Sequence, residues 1–502
     1  MSPFSNENQA DRQWFLGVVF LLAVSFFTFS ARSADVLDPA LSSVPQWDLS
    51  KGESVLWKAK LFDVGAVTAS GGRVFAGAEE TPTAAGVSRR ASVTCLSVDG
   101  KIQWESFHDR IGRRILDMGQ PIRSKPCVDG DRVYYVSNRG ELMCISIFGA
   151  QNDESNASSG AQSAPAEPKV LWKLDMPADL KVYRREAGDV GNPTSSVVIV
   201  GNLAFCVTGH GRSGTHELPY GVMSEANHLE KVRALPDPPS FLAVDKLTGK
   251  IAWSSSEPGE AILHGQWSSP VYARVNGQDE IIFPGGDGFL YGFVAGTGAL
   301  LWKLDCNEPG AKDWFTDDIG WPDLKAAKNF FVATPVVHEN MLFVGLNKDY
   351  EFPSPGPLLA IDLAASGPGI APAIKWKFRA PEFGCTYTSV AVADGIVFTV
   401  SNQCEVYALS EETGIELWRS CLETDARNLF GSPVVDHGLL YAPSESVITV
   451  FLAGPEKKIV SRFETYSLSV GTPEFAGKRM YVMDWDGVLA VRLPDEILRA
   501  QR

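Results

Sequence analysis

Short apolar runs separated by turn residues recur along the chain, and the stretch 264–305 shows this pattern most clearly. Its apolar runs are Ser269–Val275, Glu280–Phe283, Phe289–Val294 and Leu300–Leu304. The turns between them contain Asn276-Gly277, Asp287-Gly288 and Thr297-Gly298. Asn-Gly and Asp-Gly between β-prone runs indicate tight hairpins, because both central residues of such a turn need positive φ. The stretch therefore predicts a four-stranded antiparallel meander.

The same unit recurs from one end of the chain to the other. Eight units span about 66–107, 120–174, 193–254, 264–305, 333–376, 388–418, 431–463 and 471–491. The last unit has no fourth strand, whereas 55–58 (VLWK) matches fourth-strand segments but has no strands one to three before it. Pairing this orphan strand into the last unit removes two exposed sheet edges. The sequence thus predicts an all-β fold, an eight-bladed β-propeller of four-stranded antiparallel blades whose ring is closed by an N-terminal strand. Seven blades is the alternative if one weak unit is misread.

A Thr-Gly turn followed by tryptophan marks several fourth strands. The fullest copy is Asp245-x-x-Thr248-Gly249-Lys250-x-x-Trp253, with weaker copies ending at Trp302 and Trp418. This motif resembles the tryptophan-docking repeat of quinoprotein-type propellers, the PQQ-like repeat, and the resemblance covers nearly all of 53–492. Segments 264–270, 283–293, 333–337 and 431–435 look like exported bacterial PQQ-like repeat proteins of unassigned function. The resemblance implies that the tryptophan of one blade packs against the next, which identifies as docking residues Trp57, Trp104, Trp172, Trp253, Trp302, Trp376 and Trp418.

The first 34 residues carry a targeting signal. Residues 14–30 contain no charge and are followed by the small-residue segment 31–34 (ARSA), a pattern typical of a cleaved signal peptide. An uncleaved membrane anchor is the alternative, since 17 residues is the lower limit for a membrane span. We expect a linker at 35–52, the propeller at 53–493 and a C-terminal tail at 494–502. The protein is expected to be exported to the periplasm or cell envelope, with membrane contact only through an uncleaved N-terminal segment.

Charge and cysteine content narrow the possible partners. The formal net charge of −15 argues against a nucleic-acid partner, because nucleic-acid binding depends on neutralising phosphates. Eight cysteines fit an oxidising compartment, and no two of them are adjacent. Cys385 precedes an inner strand and Cys404 lies in the turn after the second strand of the same predicted blade, so both fall at one end of that blade.

We therefore predict a disulfide between Cys385 and Cys404, because both ends of the bridge would lie within reach of one another. Peptide mapping of the exported protein, with and without reductant, is expected to recover the two cysteines in one linked peptide. Free thiols at both positions would contradict the pairing.

One face of the predicted ring collects most of the candidate binding residues. Strands alternate in direction, so the connections after strands two and four open on the same face, together with the starts of the inner strands. The candidate ligand-binding residues at this face are Arg184, Arg185, Asn192, His210, His264, Trp267, Asp287, Trp314 and Tyr387. Several of them have a structural alternative. His210 could be a packed loop histidine, Trp267 could plug the funnel, Asp287 could be a turn residue, and Arg184-Arg185 could be a solvated basic pair. No metal site is predicted, because the histidines lack a ligand spacing.

Two functional classes follow. The first is a non-catalytic exported propeller that binds a protein or envelope component through its loop-rich face and needs no cofactor. In architecture it resembles the propeller lipoprotein of the outer-membrane barrel-assembly machinery, although no cysteine follows the apolar segment to carry a lipid. The alternative is a PQQ-dependent alcohol or sugar dehydrogenase with calcium. Resemblance to that enzyme implies adjacent disulfide-bonded cysteines, calcium ligands and an aspartate base, and the first of these is missing here.

Overall fold

The computed structural model describes residues 38–80, 90–110, 121–149, 167–182, 195–211, 238–263, 265–312, 328–347, 356–379, 387–423, 431–465, 471–484 and 486–500. Eight sheets are arranged as the blades of a propeller, each built on four antiparallel strands. In blades 1 to 7 these four strands run in sequence order from the central channel outward, blade 7 carries a fifth strand outside them, and the outer strand of blade 8 comes from the N-terminus. The predicted eight-bladed all-β fold is confirmed.

The first four blades follow one another along the chain. Blade 1 consists of β3 (Phe62–Ser70), β4 (Arg73–Glu79), β5 (Ala91–Ser97) and β6 (Ile102–His108). Blade 2 consists of β7 (Cys127–Asp129), β8 (Arg132–Val136), β9 (Glu141–Gly149) and β10 (Pro168–Asp175), followed by α1 (Met176–Leu180). Blade 3 consists of β11 (Val198–Val200), β12 (Leu203–Val207), β13 (Phe241–Asp245) and β14 (Ile251–Ser255), followed by a 3-10 turn (Gly259–Ala261). Blade 4 consists of β15 (Val271–Val275), β16 (Gln278–Pro284), β17 (Phe289–Val294) and β18 (Leu300–Asp305).

The remaining blades repeat this order, and the last two take strands from the N-terminus. Blade 5 consists of β19 (Val336–His338), β20 (Met341–Gly345), β21 (Leu358–Asp362) and β22 (Ala373–Phe378). Blade 6 consists of β23 (Ala391–Ala393), β24 (Ile396–Val400), β25 (Glu405–Ser410) and β26 (Glu416–Cys421). Blade 7 consists of β27 (Val434–Asp436), β28 (Leu439–Pro443), β29 (Val447–Leu452) and β30 (Ile459–Glu464), with β1 (Gln46–Asp48) outside β30. Blade 8 consists of β31 (Glu474–Ala476), β32 (Arg479–Asp484), β33 (Gly487–Arg492) and β2 (Val55–Lys60).

The ring is closed by the orphan strand. β2 pairs antiparallel with β33, and Trp57 lies opposite Ala490 in the register. The backbone N–H of Leu61 continues the contact by donating to the Asp486 carbonyl at 3.2 Å. The strand that the sequence predicts as the outer edge of the last blade therefore comes from the other end of the chain.

The predicted linker 35–52 and tail 494–502 also contribute ordered elements in their described parts. Two 3-10 helices (Pro39–Ser42 and Leu49–Lys51) flank β1, which runs parallel to β30. Leu41 and Leu49 are buried, and this burial of apolar surface fixes the segment on blade 7. At the C-terminus, α2 (Asp495–Ala500) buries Ile497 against the same seam between blades 7 and 8.

The core is divided among the seams between blades. Eight clusters of buried side chains are found, and each draws its members from two neighbouring blades. At the seam between blades 3 and 4, for example, the rings of Phe241 and Phe283 stack with centroids 4.6 Å apart. Middle strands such as β24 are buried at every position, whereas outer strands such as β22 alternate. Because middle strands are buried on both faces, their sequences are continuous apolar runs.

Six of the seven predicted docking tryptophans donate their indole N–H to a carbonyl of the next blade, near the connection between its strands three and four. The donor and acceptor pairs are Trp57 with Val98 (2.7 Å), Trp104 with Ile147 (2.9 Å), Trp172 with Lys246 (3.0 Å), Trp253 with Ala295 (2.9 Å), Trp376 with Glu411 (2.9 Å) and Trp418 with Gly454 (2.9 Å). The exception is Trp302, which donates to Glu280 Oε2 in its own blade at 2.9 Å.

Glycine at the Thr-Gly turn is required by the tryptophan that packs on it. Gly249 has φ of 72°, and a Cβ built there would lie 2.6 Å from Cε3 of Trp172. Gly298 and Gly414 meet Trp253 and Trp376 in the same way, at 2.5 and 2.6 Å. A side chain at these positions would both strain the turn and displace the neighbouring blade.

No helix in the described part of the chain is long and apolar enough to span a membrane. The predicted targeting segment 14–30 lies outside the described residues.

The packing of Trp172 on Gly249 predicts a substitution with a matched control. Gly249→Ala is expected to lower the free energy of unfolding by about 1–3 kcal/mol more than Gly201→Ala, because only the first creates an overlap at a blade seam. Gly201 belongs to the same blade and also has positive φ (56°), but a Cβ there meets nothing within 4 Å. Denaturant unfolding of both variants measures the difference, and equal losses would show that turn strain alone is responsible.

Candidate functional site on the loop face

Strand direction divides the propeller into two faces. The face that we call the loop face carries the connections from strand two to strand three and from one blade to the next, such as 285–288 and 306–312. The opposite face, the hairpin face, carries the turns between strands one and two and between strands three and four, such as 276–277 and 295–299. The candidate ligand-binding residues were assigned to the loop face.

The structure describes four of the nine candidates. Outside the described residues lie Arg184, Arg185, Asn192, His264 and Trp314. The four described candidates, His210, Trp267, Asp287 and Tyr387, lie at loop-face ends of strands in blades 3, 4 and 6. Three of them are buried and Trp267 is half-buried. Their assignment to ligand binding stays a prediction.

Asp287 closes the turn between strands two and three of blade 4. Its Oδ1 accepts from the Phe289 N–H at 3.1 Å, and its Oδ2 accepts from the Tyr291 hydroxyl at 2.6 Å. Only 3% of Asp287 is exposed, and this burial raises its pKa to about 6. The hydrogen bonds from Tyr291 and Phe289 act in the other direction and lower the pKa, but burial has the larger effect. The carboxylate therefore organises its own turn, the structural alternative named for it above.

His210 and Trp267 belong to a packed junction between blades 3 and 4. The amide nitrogen of the buried Gln266 donates to the His210 carbonyl at 2.8 Å and to the Ser240 hydroxyl at 2.9 Å. The Trp267 ring lies 5.2 Å from the Phe330 ring and covers Gly265, where a Cβ would lie 2.7 Å from the indole. This region fixes how two blades meet at the loop face.

In blade 6, Tyr387 is buried directly before the hydroxyl pair Thr388-Ser389, and Cys404 is buried in the turn between strands two and three. Cys404 carries a free thiol in the structure, and burial raises its pKa to about 12. Such a thiol is a poor nucleophile, because the thiolate is the reactive form. Cys385 lies outside the described residues, so the predicted disulfide stays a prediction.

A buried polar network between blades 1 and 2 was not foreseen from the sequence. His108 Nε2 lies 2.9 Å from the Tyr135 hydroxyl, which in turn lies 3.2 Å from the Ser106 hydroxyl. On its other side, His108 Nδ1 lies 3.4 Å from Glu141 Oε2. A neutral imidazole that donates from Nδ1 to the carboxylate satisfies every link, with Tyr135 donating to Nε2 and accepting from Ser106.

Glu141 is the charged member of this network. Lys173 Nζ donates to its Oε1 at 2.8 Å, and the Ser137 hydroxyl donates to its Oε2 at 3.1 Å. The hydrogen bond from His108, together with Lys173, lowers the pKa of Glu141 to about 2 in spite of its burial. Tyr135 is completely buried, so this tyrosine–histidine–carboxylate chain has no access to a substrate and serves to join the blades.

The mouth of the channel is bound together by hydroxyl groups. In consecutive blades, the backbone N–H at the start of one inner strand donates to the hydroxyl at the same position of the next blade. These bonds are Lys125 to Ser196 (3.0 Å), Ser196 to Ser269 (2.9 Å), Ser269 to Thr334 (3.3 Å), Ser389 to Ser432 (3.0 Å) and Ser432 to Thr472 (2.8 Å). The Ser/Thr-Pro segments such as 333–337 and 431–435 therefore encode this hydroxyl belt.

The described part of the loop face is thus a rigid frame. The Asp287 carboxylate, the His108–Glu141 network and the hydroxyl belt are engaged in bonds between and within blades. Among the described residues, no group of three or more His, Cys, Asp or Glu side chains is placed to hold a metal ion. A frame of this kind holds the connections between blades in fixed positions, which is the form in which propellers present binding surfaces.

Comparison with known proteins identifies other propellers, in agreement with the fold described above. A family model described as outer membrane protein assembly factor BamB matches residues 169–420, half of the chain. Similar solved structures include BamB from Moraxella catarrhalis, with 13% identity, a TM-score of 0.51 and coverage of 85% of this chain and 92% of that one. The computationally designed Ika8 protein has 10% identity and a TM-score of 0.53, covering 88% of this chain and 100% of that one. Sqt1 from Saccharomyces cerevisiae has 10% identity and a TM-score of 0.51, covering 87% of this chain and 98% of that one.

No curated protein sequence matches the chain. At these identities the structural likenesses show the fold alone. The fold and its tryptophan-docking repeats define a PQQ-like repeat β-propeller. The family match is more specific, and the chain belongs to the family of outer membrane protein assembly factor BamB.

The raised pKa of Asp287 predicts a pH-dependent stability. The folded protein binds the proton on the Asp287 carboxyl more tightly than the unfolded chain does. The protonated carboxyl therefore stabilises the fold at low pH, and this stabilisation is lost as the pH rises through about 6. Between about pH 4.5 and 7.5 the loss amounts to about 2 kcal/mol. Asp287→Asn is expected to remove this part of the pH dependence.

Urea unfolding of the parent and the variant at both pH values measures the difference. Asp394→Asn serves as the control, since Asp394 is an exposed carboxylate that also precedes a glycine in a turn, in blade 6. Parallel pH profiles for the parent and Asp287→Asn would contradict the role assigned to the buried carboxyl.

Proposed function

We propose that this chain is a non-catalytic scaffold of the cell envelope that binds a protein partner through its loop face. The observation that carries the proposal is the match of half of the chain to the family of an outer membrane protein assembly factor. The apolar segment 14–30 supports an exported location, in the periplasm or elsewhere in the envelope. Contact with the membrane itself would come only from that segment.

The geometry supports binding over catalysis. His108, Tyr135 and Glu141 have the residue types of a proton relay, but their side chains are buried in a seam. Asp287 is likewise enclosed by the bonds of its own turn. General acid–base catalysis needs a group within hydrogen-bond reach of the substrate, and these groups are withdrawn from the surface. We propose that the protein acts without a cofactor.

Site-specific photocrosslinking tests the role of the loop face. A photoreactive phenylalanine analogue is placed at exposed or half-exposed loop-face turns, at Arg139 in blade 2 or Gln403 in blade 6. Matched hairpin-face positions are Thr297 in blade 4 and Glu412 in blade 6. In the producing cells, the protein is expected in the envelope fraction, and the loop-face positions are expected to crosslink to one common protein.

The hairpin-face positions are expected to give no such product. Equal crosslinking from Gln403 and Glu412, or recovery of the protein in the cytosol, would contradict the proposal. A separate arm adds PQQ and calcium to the purified chain. Binding of one quinone per chain with dye-linked alcohol oxidation would favour the dehydrogenase alternative, and we expect neither.

A further inference from the structure

The large apolar side chains that are exposed in the described part of the chain all lie at one end of the propeller. Five of them, Phe148, Val170, Leu247, Ile370 and Ile415, are 49–65% exposed. Six others, Leu56, Val98, Ile102, Ile251, Leu300 and Leu417, are 36–42% exposed. Each lies in a connection between strands three and four, or at the hairpin-face end of one of these strands. We call these eleven side chains at the hairpin face the apolar ring.

The apolar ring extends around most of the propeller. Blades 1 to 6 and blade 8 each contribute at least one member. The opposite ends of the same outer strands are covered: Phe378 at the loop-face end of β22 is 8% exposed, and Leu422, directly after β26, is 0% exposed. Exposure is therefore a property of the hairpin face, and not of the outer strands along their whole length.

The charge of these connections differs from that of the whole chain. The described connections between strands three and four contain the lysines Lys101, Lys246, Lys250, Lys457 and Lys458. They contain an equal number of acids, Asp99, Glu167, Glu411, Glu412 and Glu456. The whole chain, in contrast, has a net charge of −15. Two copies of so acidic a protein repel one another, and this repulsion is weakest where the local charges balance.

The apolar ring is large enough for a stable interface with a second copy. Full burial of one large apolar side chain removes about 100 Å² from water, so the partly exposed ring offers about 500 Å² per copy and about 1,000 Å² in two facing copies. Homodimer interfaces are about 65% apolar, so the whole interface would bury about 1,500 Å². This is the standard size of a specific, stable complex.

The repeated arrangement of the blades makes the ring complementary to itself. Eight blades surround one channel, so a two-fold rotation about an axis along the hairpin face places each connection opposite a connection of the second copy. We infer that two copies of this chain associate through the apolar ring, hairpin face against hairpin face, as a symmetric dimer. Both loop faces then point outward. The inference does not depend on what the loop face binds, so either can fail without the other.

Sedimentation equilibrium of the protein purified from the producing cells measures the association. A dimer is expected at about 10 µM, because an interface of this size supports micromolar or tighter binding. Ile415→Glu replaces the most exposed member of the ring. It is expected to raise the dissociation constant of the dimer about tenfold or more, because the symmetric interface would then enclose two unpaired carboxylates.

Gln403→Glu is the matched control for this substitution. It adds the same charge to the same blade, but in the half-exposed loop-face turn between strands two and three, and it is expected to leave the dimer unchanged. Ile370→Glu tests a second position of the ring, in blade 5, and is expected to weaken the dimer as Ile415→Glu does. Thermal unfolding followed by circular dichroism checks that each variant is folded.

A photoreactive phenylalanine analogue at Glu412 gives a second readout, because this residue lies in the same connection as Ile415. Its product is expected to contain two copies of the chain, which distinguishes it by mass from a crosslink between the loop face and another protein. A monomer over the whole concentration range would overturn the inference. So would equal association of the parent, Ile415→Glu and Ile370→Glu, or binding of the hairpin face to lipid vesicles or to another protein in place of a second copy.

Discussion

The docking of a tryptophan from one blade onto the connection between strands three and four of the next is the interaction on which the fold depends. A four-stranded sheet cannot bury both faces alone, so each blade is stable only between two neighbours. The indole supplies a large apolar surface and one N–H, and both are used: the ring packs on a glycine such as Gly249, and the N–H bonds to the carbonyl of Lys246. Position 249 must remain glycine because it has positive φ and the ring leaves no room for Cβ.

Blades 4 and 7 do not dock a tryptophan on the next blade, and in each of them another contact takes its place. In blade 4, Trp302 bonds to the buried Glu280, and the next blade instead donates from Gly369 to the Leu301 carbonyl at 2.8 Å. In blade 7, the register places Ser461 where blade 6 has Trp418. The indole N–H of Trp47, on β1, bonds to the Ser461 hydroxyl at 3.1 Å. A strand from the N-terminus therefore supplies the indole that blade 7 lacks, which explains why this segment packs there.

The sequence predicted the fold because its signals are local and repeated, whereas the site depends on contacts between distant residues. Alternation, turn pairs and the orphan strand at Trp57 were sufficient for eight blades and their closure. The three-residue β1 was missed because so short a strand has no periodicity. Asp287-Gly288 has the same sequence signature whether it binds a ligand or closes a turn, and the burial and hydrogen bonds of this carboxylate are not visible in that signature. His108 and Glu141 lie in different blades, so no sequence spacing reveals that they meet.

Ring closure brings together groups from the two ends of the chain. The Val98 carbonyl of blade 1 accepts from the Trp57 indole at 2.7 Å and also from the Arg479 guanidinium. Trp57 lies on the N-terminal strand β2 and Arg479 on β32, and the two strands belong to one blade because β2 pairs with β33. Opening the seam between blades 8 and 1 therefore breaks both bonds at once, so the N-terminal strand and the C-terminal part of the chain depend on the same turn of blade 1.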